Sequence, residues 1–212
     1  MPFTTKADFT ARALTRLAPV DAVFSEPLRT DYDLNPDWPA PSGSAYRKAA
    51  VLVALMDRGE DFGVLLTLRP DTMPSHAGQV AFPGGRIEPG ETALQAALRE
   101  ANEEVGVIPD SVRVLGQGDT YLTGSGFAIS PFVGVLPQDF AAIPHPREVA
   151  DVFETPLSFL MDAATHERHE REFRAALRTY YAMPHNGRYI WGATAGMIKS
   201  LYDRLYGATD GE

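Results

Sequence analysis

Residues 84–107, GGRIEPGETALQAALREANEEVGV, constrain the fold most, because they join a glycine turn to a strongly patterned helix. Apolar residues recur three and four positions apart, which predicts an amphipathic helix over residues 91–106. Gly106 is expected to end this helix, since glycine readily adopts the left-handed conformation of a C-terminal cap. The predicted buried stripe comprises Leu94, Ala97, Leu98, Ala101 and Val105.

The polar face of this helix carries acidic side chains that repel one another. Glu100 and Glu104 are four residues apart with Glu103 beside them, and like charges at that spacing cost about 0.2–0.5 kcal/mol per pair. Glu91 can fold back toward the same point. Hard carboxylate oxygens suit Mg²⁺ or Mn²⁺, and a divalent cation would cancel the repulsion. A solvated acidic face is the alternative, but the preceding glycine turn, which exposes a backbone carbonyl group, favours a metal site.

The rest of the chain mixes strands and helices without a regular alternation, which predicts an α/β (α+β) fold, an α/β/α sandwich with a central mixed sheet. We expect residues 1–45 to form an N-terminal helix and a proline-rich arm, and residues 46–212 to form one folded domain. The predicted elements are a helix over 5–18, an extended arm over 19–45, a hairpin of 48–57 and 62–69, a short strand over 79–85, the helix over 91–106, strands over 112–123 and 127–137, a strand with a helical turn over 148–162, a hairpin over 178–192 around Asn186 and Gly187, and a closing helix over 194–207.

Composition excludes several classes of protein. The 212 residues contain no cysteine, so a disulfide scaffold and a thiolate metal site are both excluded. The formal net charge of −9 and the lack of a basic stripe argue against nucleic-acid binding. No apolar run approaches the ~18 residues of a membrane-spanning helix, and the N-terminus lacks the pattern of a signal peptide. We therefore expect a cytoplasmic protein that acts on a small molecule.

Two further segments have competing interpretations. Residues 166–170 read HERHE, but they lack the HExxH spacing of a zinc site, so we expect an exposed polar turn. The closing helix has an apolar face that could support a dimer or pack on the core. That face comprises Ile198, Leu201, Leu205 and Tyr206.

The spacing within residues 85–107 resembles the Nudix box. The flanking segments LLTLR (65–69), FPGG (82–85) and YIWGATAGMI (189–198) resemble the coenzyme A pyrophosphatase branch of that family, and the similarity covers residues 46 to about 207. Pro70 and Pro74 depart from the branch, which usually has a small residue and an arginine there. The residues that match the box are Gly85, Glu91, Arg99, Glu100, Glu103, Glu104 and Gly106.

The resemblance implies a Nudix fold and hydrolysis of a pyrophosphate bond, with coenzyme A giving 3′,5′-ADP and 4′-phosphopantetheine. It implies that Mg²⁺ or Mn²⁺ is held by Glu100, Glu103, Glu104 and the Gly85 carbonyl. Arg99 would orient a carboxylate by a charge-assisted fork. A carboxylate must also accept a proton from water, and the candidates are Glu103 first and then Glu148, outside the box.

The candidate substrate contacts are Arg69, Phe82, His76 and Glu91. A surface arginine, a core phenylalanine and a plain loop histidine are the alternatives for the first three. Branch members also suggest a homodimer. Two other functions stay open: a Nudix enzyme for ADP-ribose or a dinucleoside, which the two prolines favour, and a non-catalytic ligand sensor, which the intact box disfavours.

Overall fold

The computed structural model describes residues 5–22, 29–38, 46–71, 78–173 and 176–207. Four helices and twelve strands occur in these residues, with short 3₁₀ turns at Pro109–Ser111 and Ala163–Thr165. In chain order they are α1 (Lys6–Arg16), β1 (Arg29–Thr30), β2 (Arg47–Arg58), β3 (Asp61–Leu68), β4 (Val80–Ala81), β5 (Gly84–Arg86), α2 (Ala93–Val105), β6 (Arg113–Gln117), β7 (Tyr121–Leu122), β8 (Phe127–Val135), β9 (Asp151–Pro156), α3 (Leu157–Leu160), β10 (Glu167–Phe173), β11 (Ala176–His185), β12 (Arg188–Trp191) and α4 (Ala193–Tyr206).

A mixed sheet forms the centre of the molecule. Its described strands run in the order β1-β7-β8-β2-β3-β4, while β5 pairs with β2, β6 with β8, and β9 with β3. Strand β2 lies parallel to β8 and antiparallel to its hairpin partner β3. A second, smaller sheet has the order β10-β11-β12. This arrangement confirms the predicted α+β class with a central mixed sheet.

Both faces of the central sheet are covered by helices. Successive side chains of a strand point to opposite faces, and in β2 Val53 and Leu55 join a core cluster with α1 and α4. Their neighbours Leu52 and Ala54 join a second cluster with α2. The sheet is therefore the middle layer of an α/β/α sandwich.

The N-terminal helix is part of the core. Phe9 and Ala13 are fully buried in the cluster with α4, and Arg12 and Arg16 donate hydrogen bonds to the carbonyl groups of Leu205 and Gly207 at the end of α4. In the arm, β1 pairs in parallel with β7. The boundary near residue 45 stays a prediction, and Pro27, Pro39 and Pro41 lie outside the described residues.

The hairpin over residues 178–192 is confirmed, and its turn has the expected chemistry. Asn186 and Gly187 have φ angles of 47° and 75°, which are the left-handed values of a two-residue hairpin turn. The predicted strand over 112–123 is instead divided into β6 and β7, with an irregular register between Val114 and Gly116. A β-bulge of this kind redirects the chain and cannot be read from apolar periodicity.

The prediction of a polar turn over residues 166–170 is wrong. Residues 167–170 lie in β10, which His166 directly precedes and which pairs with β11 from Glu167 opposite Ala182 to Phe173 opposite Ala176. The segment carries charges on both faces and has no apolar period, so only its partner strand reveals it as a strand. His166 and His169 also make separate contacts, with the Leu160 carbonyl and with Tyr189.

The apolar face of the closing helix packs on the core. Ile198 and Leu205 are 1% and 0% exposed, so the core interpretation of that face is confirmed. No helix in the described part of the chain is long and apolar enough to cross a membrane.

Candidate active site

Helix α2 is fixed at both ends by local sequence. Thr92 is its N-cap: the Thr92 hydroxyl accepts from the Gln95 N–H at 3.2 Å and the Gln95 side chain accepts from the Thr92 N–H at 2.8 Å. This reciprocal capping box satisfies two otherwise unpaired donors. Gly106 ends the helix in the left-handed conformation, with φ 77°. The predicted helix is confirmed, and it begins two residues later than expected.

The side of α2 that faces the sheet is made of small residues. Ala96, Ala97 and Ala101 are fully buried against the sheet, whereas Leu94 and Leu98, predicted in the stripe, are only partly buried. Small side chains let the helix approach the sheet closely. The close approach brings Glu104, in the last turn of α2, into the interior of the protein.

Arg99 organises the acidic residues around it. Its guanidinium donates to both carboxylate oxygens of Glu91 at 2.9 and 3.1 Å, to Glu100 at 3.0 Å and to Glu103 at 3.1 Å. It also donates to the Arg86 carbonyl at 3.1 Å. Hydrogen bonds from Arg99 are the main cause that lowers the pKa of Glu91. One cation therefore ties the helix to the loop before it and to β5.

Strand β5 presents its two glycines differently. It runs antiparallel to β2 with Gly85 opposite Ala50, and the Leu52 N–H donates to the Pro83 carbonyl at 2.9 Å. Because hydrogen-bonded pairs alternate along an antiparallel ladder, the backbone groups of Gly85 point toward β2. Those of Gly84 point the other way, toward α2.

Contacts with the helix agree with this orientation. The Gly84 N–H donates to a carboxylate oxygen of Glu104 at 3.3 Å. A Cβ atom on Gly85 would overlap the Glu100 carboxylate, so the missing side chain makes room for that group. The sequence predicted the Gly85 carbonyl as the metal ligand, and the register shows that the backbone groups directed away from β2 are those of Gly84. A one-residue difference of this kind depends on strand pairing and leaves no signal in spacing.

Glu104 is a buried carboxylate whose desolvation is only partly offset by its neighbours. It is 4% exposed, and burial raises its pKa to about 8, with Glu100 and Glu148 adding to the rise. The Gly84 N–H and the positive charge of Arg69 oppose that rise without cancelling it. Burial likewise raises the pKa of Glu100, against the lowering effect of Arg99. The free-energy cost of these buried charges would be offset by a bound cation.

A docked loop brings Glu148 to the same place. Residues 143 and 145 donate backbone hydrogen bonds to the last carbonyl groups of α2, from Ile143 to Val105 at 3.0 Å and from His145 to Glu104 at 2.8 Å. These bonds satisfy acceptors that a helix end leaves unpaired. They place the half-exposed Glu148 side chain close enough to Glu100 and Glu104 to raise the pKa of both.

The donor set fits a hard divalent cation that is completed by other ligands. In the described residues, no three acidic or histidine side chains converge tightly enough to hold a metal by themselves, because Arg99 engages Glu100 and Glu103. Mg²⁺ does not require such a cage, since it is usually bound by one or two carboxylates, with water and substrate phosphates completing its octahedron. Glu104, Glu100 and the Gly84 carbonyl supply the oxygen chemistry that such an ion prefers.

Comparison with known protein families identifies the family of this chain. The family model described as the NUDIX domain matches residues 45–177. The chain belongs to the Nudix family. A Nudix hydrolase from Cronobacter sakazakii, named NudL and uncharacterized, is 39% identical over 156 residues, which cover 73% of this chain and 81% of the relative. The uncharacterized NudL of Klebsiella pneumoniae is 37% identical over 166 residues, or 77% and 86% of the two chains.

Solved structures of other Nudix proteins resemble this one more distantly. A MutT/nudix family protein from Enterococcus faecalis has a TM-score of 0.48 at 16% identity, over 99% of this chain and 78% of that chain. An Ap4A hydrolase complex from C. elegans has a TM-score of 0.46 at 22% identity, over 51% of this chain and 80% of that one.

The remaining candidate residues of this Nudix site are placed differently from one another. Arg69 follows β3, and its backbone bonds with Gln79 and Gly78, at 3.0 and 3.1 Å, close the neck of the loop between them. That loop contains His76, which lies outside the described residues. Phe82 is 3% exposed and packs in the cluster with α4. It therefore occupies the core position that the sequence favoured, and its substrate contact stays a prediction.

Proposed function

We propose that this Nudix hydrolase uses Mg²⁺ or Mn²⁺ to cleave the pyrophosphate bond of coenzyme A or its derivatives, giving 3′,5′-ADP and (acyl-)4′-phosphopantetheine. The observation that carries the proposal is Glu104: a buried carboxylate held against the Gly84 backbone, next to Glu100, Glu148 and the cationic Arg69. A site with this composition can hold a cation on one side and a substrate phosphate on the other.

The choice of substrate is supported by where three sequence segments meet. The segment of residues 65–69 ends at Arg69, beside Glu104. The segment of residues 189–198 forms β12 and the start of α4, and Thr194 donates to the Val80 carbonyl in β4 at 2.9 Å. Strand β4 in turn pairs with the end of β3. The two outer segments that resemble the coenzyme A branch therefore both contact β3 or β4, and β4 leads directly into the third segment, the glycine turn at residues 82–85.

We assign the metal to Glu100, Glu103 and Glu104, and to the Gly84 carbonyl in place of that of Gly85. When bound, the ion supplies charge neutralisation at the pyrophosphate and a more acidic water molecule. Arg99 is a positioning residue rather than a catalytic one, because its described contacts all go to the protein itself.

Glu91 has the same indirect role. Arg99 binds both of its carboxylate oxygens, so Glu91 fixes the arginine instead of contacting substrate. We propose this role, in place of a substrate contact, because a carboxylate engaged in a two-pronged ion pair has little capacity left for a ligand.

We place the proton acceptor at Glu148. Glu103, the first candidate from sequence, forms an ion pair with Arg99 at 3.1 Å, whereas Glu148 lies beside Glu100 and Glu104 and has a more distant partner, His145, at 3.7 Å. General-base catalysis contributes about 10²–10⁴ in rate. Glu148→Gln should therefore lower kcat in that range, whereas Glu103→Gln should raise the metal concentration needed for half-maximal activity instead.

Product analysis tests the function itself. The protein is incubated with coenzyme A and Mg²⁺ or Mn²⁺, with ADP-ribose and NADH in parallel, and with Glu104→Gln as the control. We expect 3′,5′-ADP from coenzyme A, and none from the control. Cleavage of ADP-ribose or NADH alone would favour the alternative of a Nudix enzyme for ADP-ribose or a dinucleoside, for which Pro70 and Pro74 are the motivating residues. No cleavage of any substrate with either metal would favour a ligand sensor.

A further inference from the structure

Two exposed arginines lie on neighbouring strands next to the glycine turn. The β2–β5 register places Ala49 opposite Arg86, and Arg47, two residues before Ala49, points to the same face of the sheet. On the other side of β2, Phe127 in β8 lies directly opposite Arg47. The two arginines and the phenylalanine therefore share one face at one end of the sheet.

The aromatic ring holds the two guanidinium groups without neutralising them. The Arg47 Cζ lies 3.9 Å from the centroid of the Phe127 ring, and the Arg86 Cζ lies 5.9 Å from it. Arg47 also donates to the Ser125 carbonyl at 3.2 Å. Cation–π and carbonyl contacts of this type orient a guanidinium, but its positive charge stays in place.

No carboxylate among the described residues forms an ion pair with Arg47 or Arg86. Other arginines of the chain do have one: Arg99 pairs with Glu91, and Arg188 with Asp151. The chain has a net charge of −9, so acids are not scarce. Two like charges beside one ring repel each other, and an anion between them would relieve that repulsion.

This basic pair is joined to the acidic site by a very short strand. Arg86 directly follows Gly85 in β5, and its carbonyl accepts a hydrogen bond from Arg99 at 3.1 Å. On the α2 side of β5, the Glu100 carboxylate occupies the volume that a side chain on Gly85 would need. The Arg86 side chain points to the opposite face. A ligand at the end of β5 can therefore reach both the two arginines and the acidic site only if it carries two separate anionic centres.

We propose that Arg47 and Arg86 bind the 3′-phosphate of the substrate, and so select 3′-phosphorylated nucleotides over those without that group. The inference rests on the proposed function, because coenzyme A carries this phosphate across the ribose from its pyrophosphate. Guanidinium groups match phosphate oxygens by paired hydrogen bonds. The pair supplies positive charge in a chain that has Pro74 where the branch usually has an arginine.

Dephospho-coenzyme A, which lacks only the 3′-phosphate, gives the direct kinetic test. The ratio of kcat/KM for coenzyme A to that for dephospho-coenzyme A is measured in the wild type, in Arg47→Gln and in Arg86→Gln. Each variant should lower this ratio by about tenfold, the loss expected for a hydrogen bond to a charged group. Arg113→Gln is the matched control, since Arg113 is an exposed arginine opposite Val135, at the other end of β8.

Equal losses for both substrates, or the same change in Arg113→Gln, would overturn the inference. So would an unchanged ratio in variants whose thermal unfolding shows that they are folded. Arg47→Lys keeps the charge and should recover part of the ratio.

Calorimetry separates this inference from the proposed function. Binding of 3′,5′-ADP and of 5′-ADP is measured without turnover, and the wild type should bind 3′,5′-ADP about tenfold more tightly, a preference lost in Arg47→Gln. Equal affinities in the wild type would refute the subsite even if coenzyme A is cleaved. A clear preference in a protein that cleaves no coenzyme A would refute the proposed reaction alone.

Discussion

Two carboxylates are buried on opposite faces of the central sheet, and the protein neutralises them in different ways. Asp119, on the side of α4, is 8% exposed and forms an ion pair with Arg204, with Ser200 at 3.4 Å. Glu104, on the side of α2, is 4% exposed and has only a 3.3 Å hydrogen bond from Gly84. A buried charge with a full ion pair is structural, whereas one left short of a partner is prepared for a ligand.

The two faces of the central sheet also differ in the size of the side chains that pack on them. Large side chains such as Phe9, Phe62 and Ile198 fill the face of α1 and α4, whereas the other face combines large side chains such as Phe132 with Ala50, Ala54 and the alanines of α2. Burial of large apolar groups contributes most to folding. The face of α1 and α4 therefore holds more of the large apolar side chains, and the candidate site lies on the other face.

Glu104→Gln should have the largest effect and should separate activity from stability. We expect metal-dependent turnover to fall about a thousandfold or more, because a metal ligand supplies several kcal/mol of transition-state stabilisation. Thermal unfolding of the metal-free variant should be unchanged or shifted upward, since the cost of burying a carboxyl group whose pKa is raised to about 8 is removed. A large drop in its unfolding temperature would make Glu104 a structural residue like Asp119.

Asp119→Asn should show the opposite pattern. Removing one partner of a buried ion pair leaves Arg204 uncompensated, and we expect the free energy of unfolding to fall by about 2–3 kcal/mol in urea titrations, since the partly exposed arginine keeps some hydration. The kcat of the folded fraction should change less than twofold. A tenfold loss of kcat without a loss of stability would mean that both faces serve catalysis.

Arg99→Lys tests whether the acidic face depends on one planar cation. Lysine keeps the charge but loses the fork that holds Glu91 and Glu100, so we expect kcat to fall about tenfold. Arg58→Lys is a matched control, because Arg58 makes a similar fork with Glu154 at the far end of the β2–β3 hairpin. Equal losses in both variants would point to a general effect of lysine substitution.

A pH titration of stability probes the face of α4 and should give the smallest effect. Burial lowers the pKa of His166 below its ordinary 6.5, so the unfolded chain binds a proton more readily than the folded one. Stability should therefore decrease as the pH falls below about 6.5 and should be fully present above it. In His166→Gln this component of the pH dependence should be absent, and its persistence would assign the effect to another group.

Sequence reasoning succeeded where a pattern has a strong local cause. The caps and periodicity of α2, the turn at Asn186 and Gly187, and the acidic spacing of Glu100 and Glu104 are all local features. It failed where the outcome depends on pairing between distant segments. The charged strand β10 has no signal without β11, and only the register with Ala50 distinguishes Gly84 from Gly85.

The site residues stay a prediction, and the structure adds contacts that the sequence could not supply. Spacing alone could not show that Arg99 binds Glu91 and Glu103. Nor could it show that small residues on α2 would bury Glu104. Arg47 and Arg86 were missed because they are 39 positions apart in the chain and become neighbours only through β2 and β5.

The contacts of Arg99 also make residues 84–106 a structural unit that can be transferred to another protein. Every described partner of that arginine lies within the segment, as do the N-cap and the C-cap of α2. This segment requires a neighbouring strand with which β5 pairs and small side chains, such as Ala50 and Ala54, on which α2 packs. The segment could therefore be grafted onto another sheet that has an alanine-lined strand, and the arrangement of its acidic side chains around Arg99 should be retained.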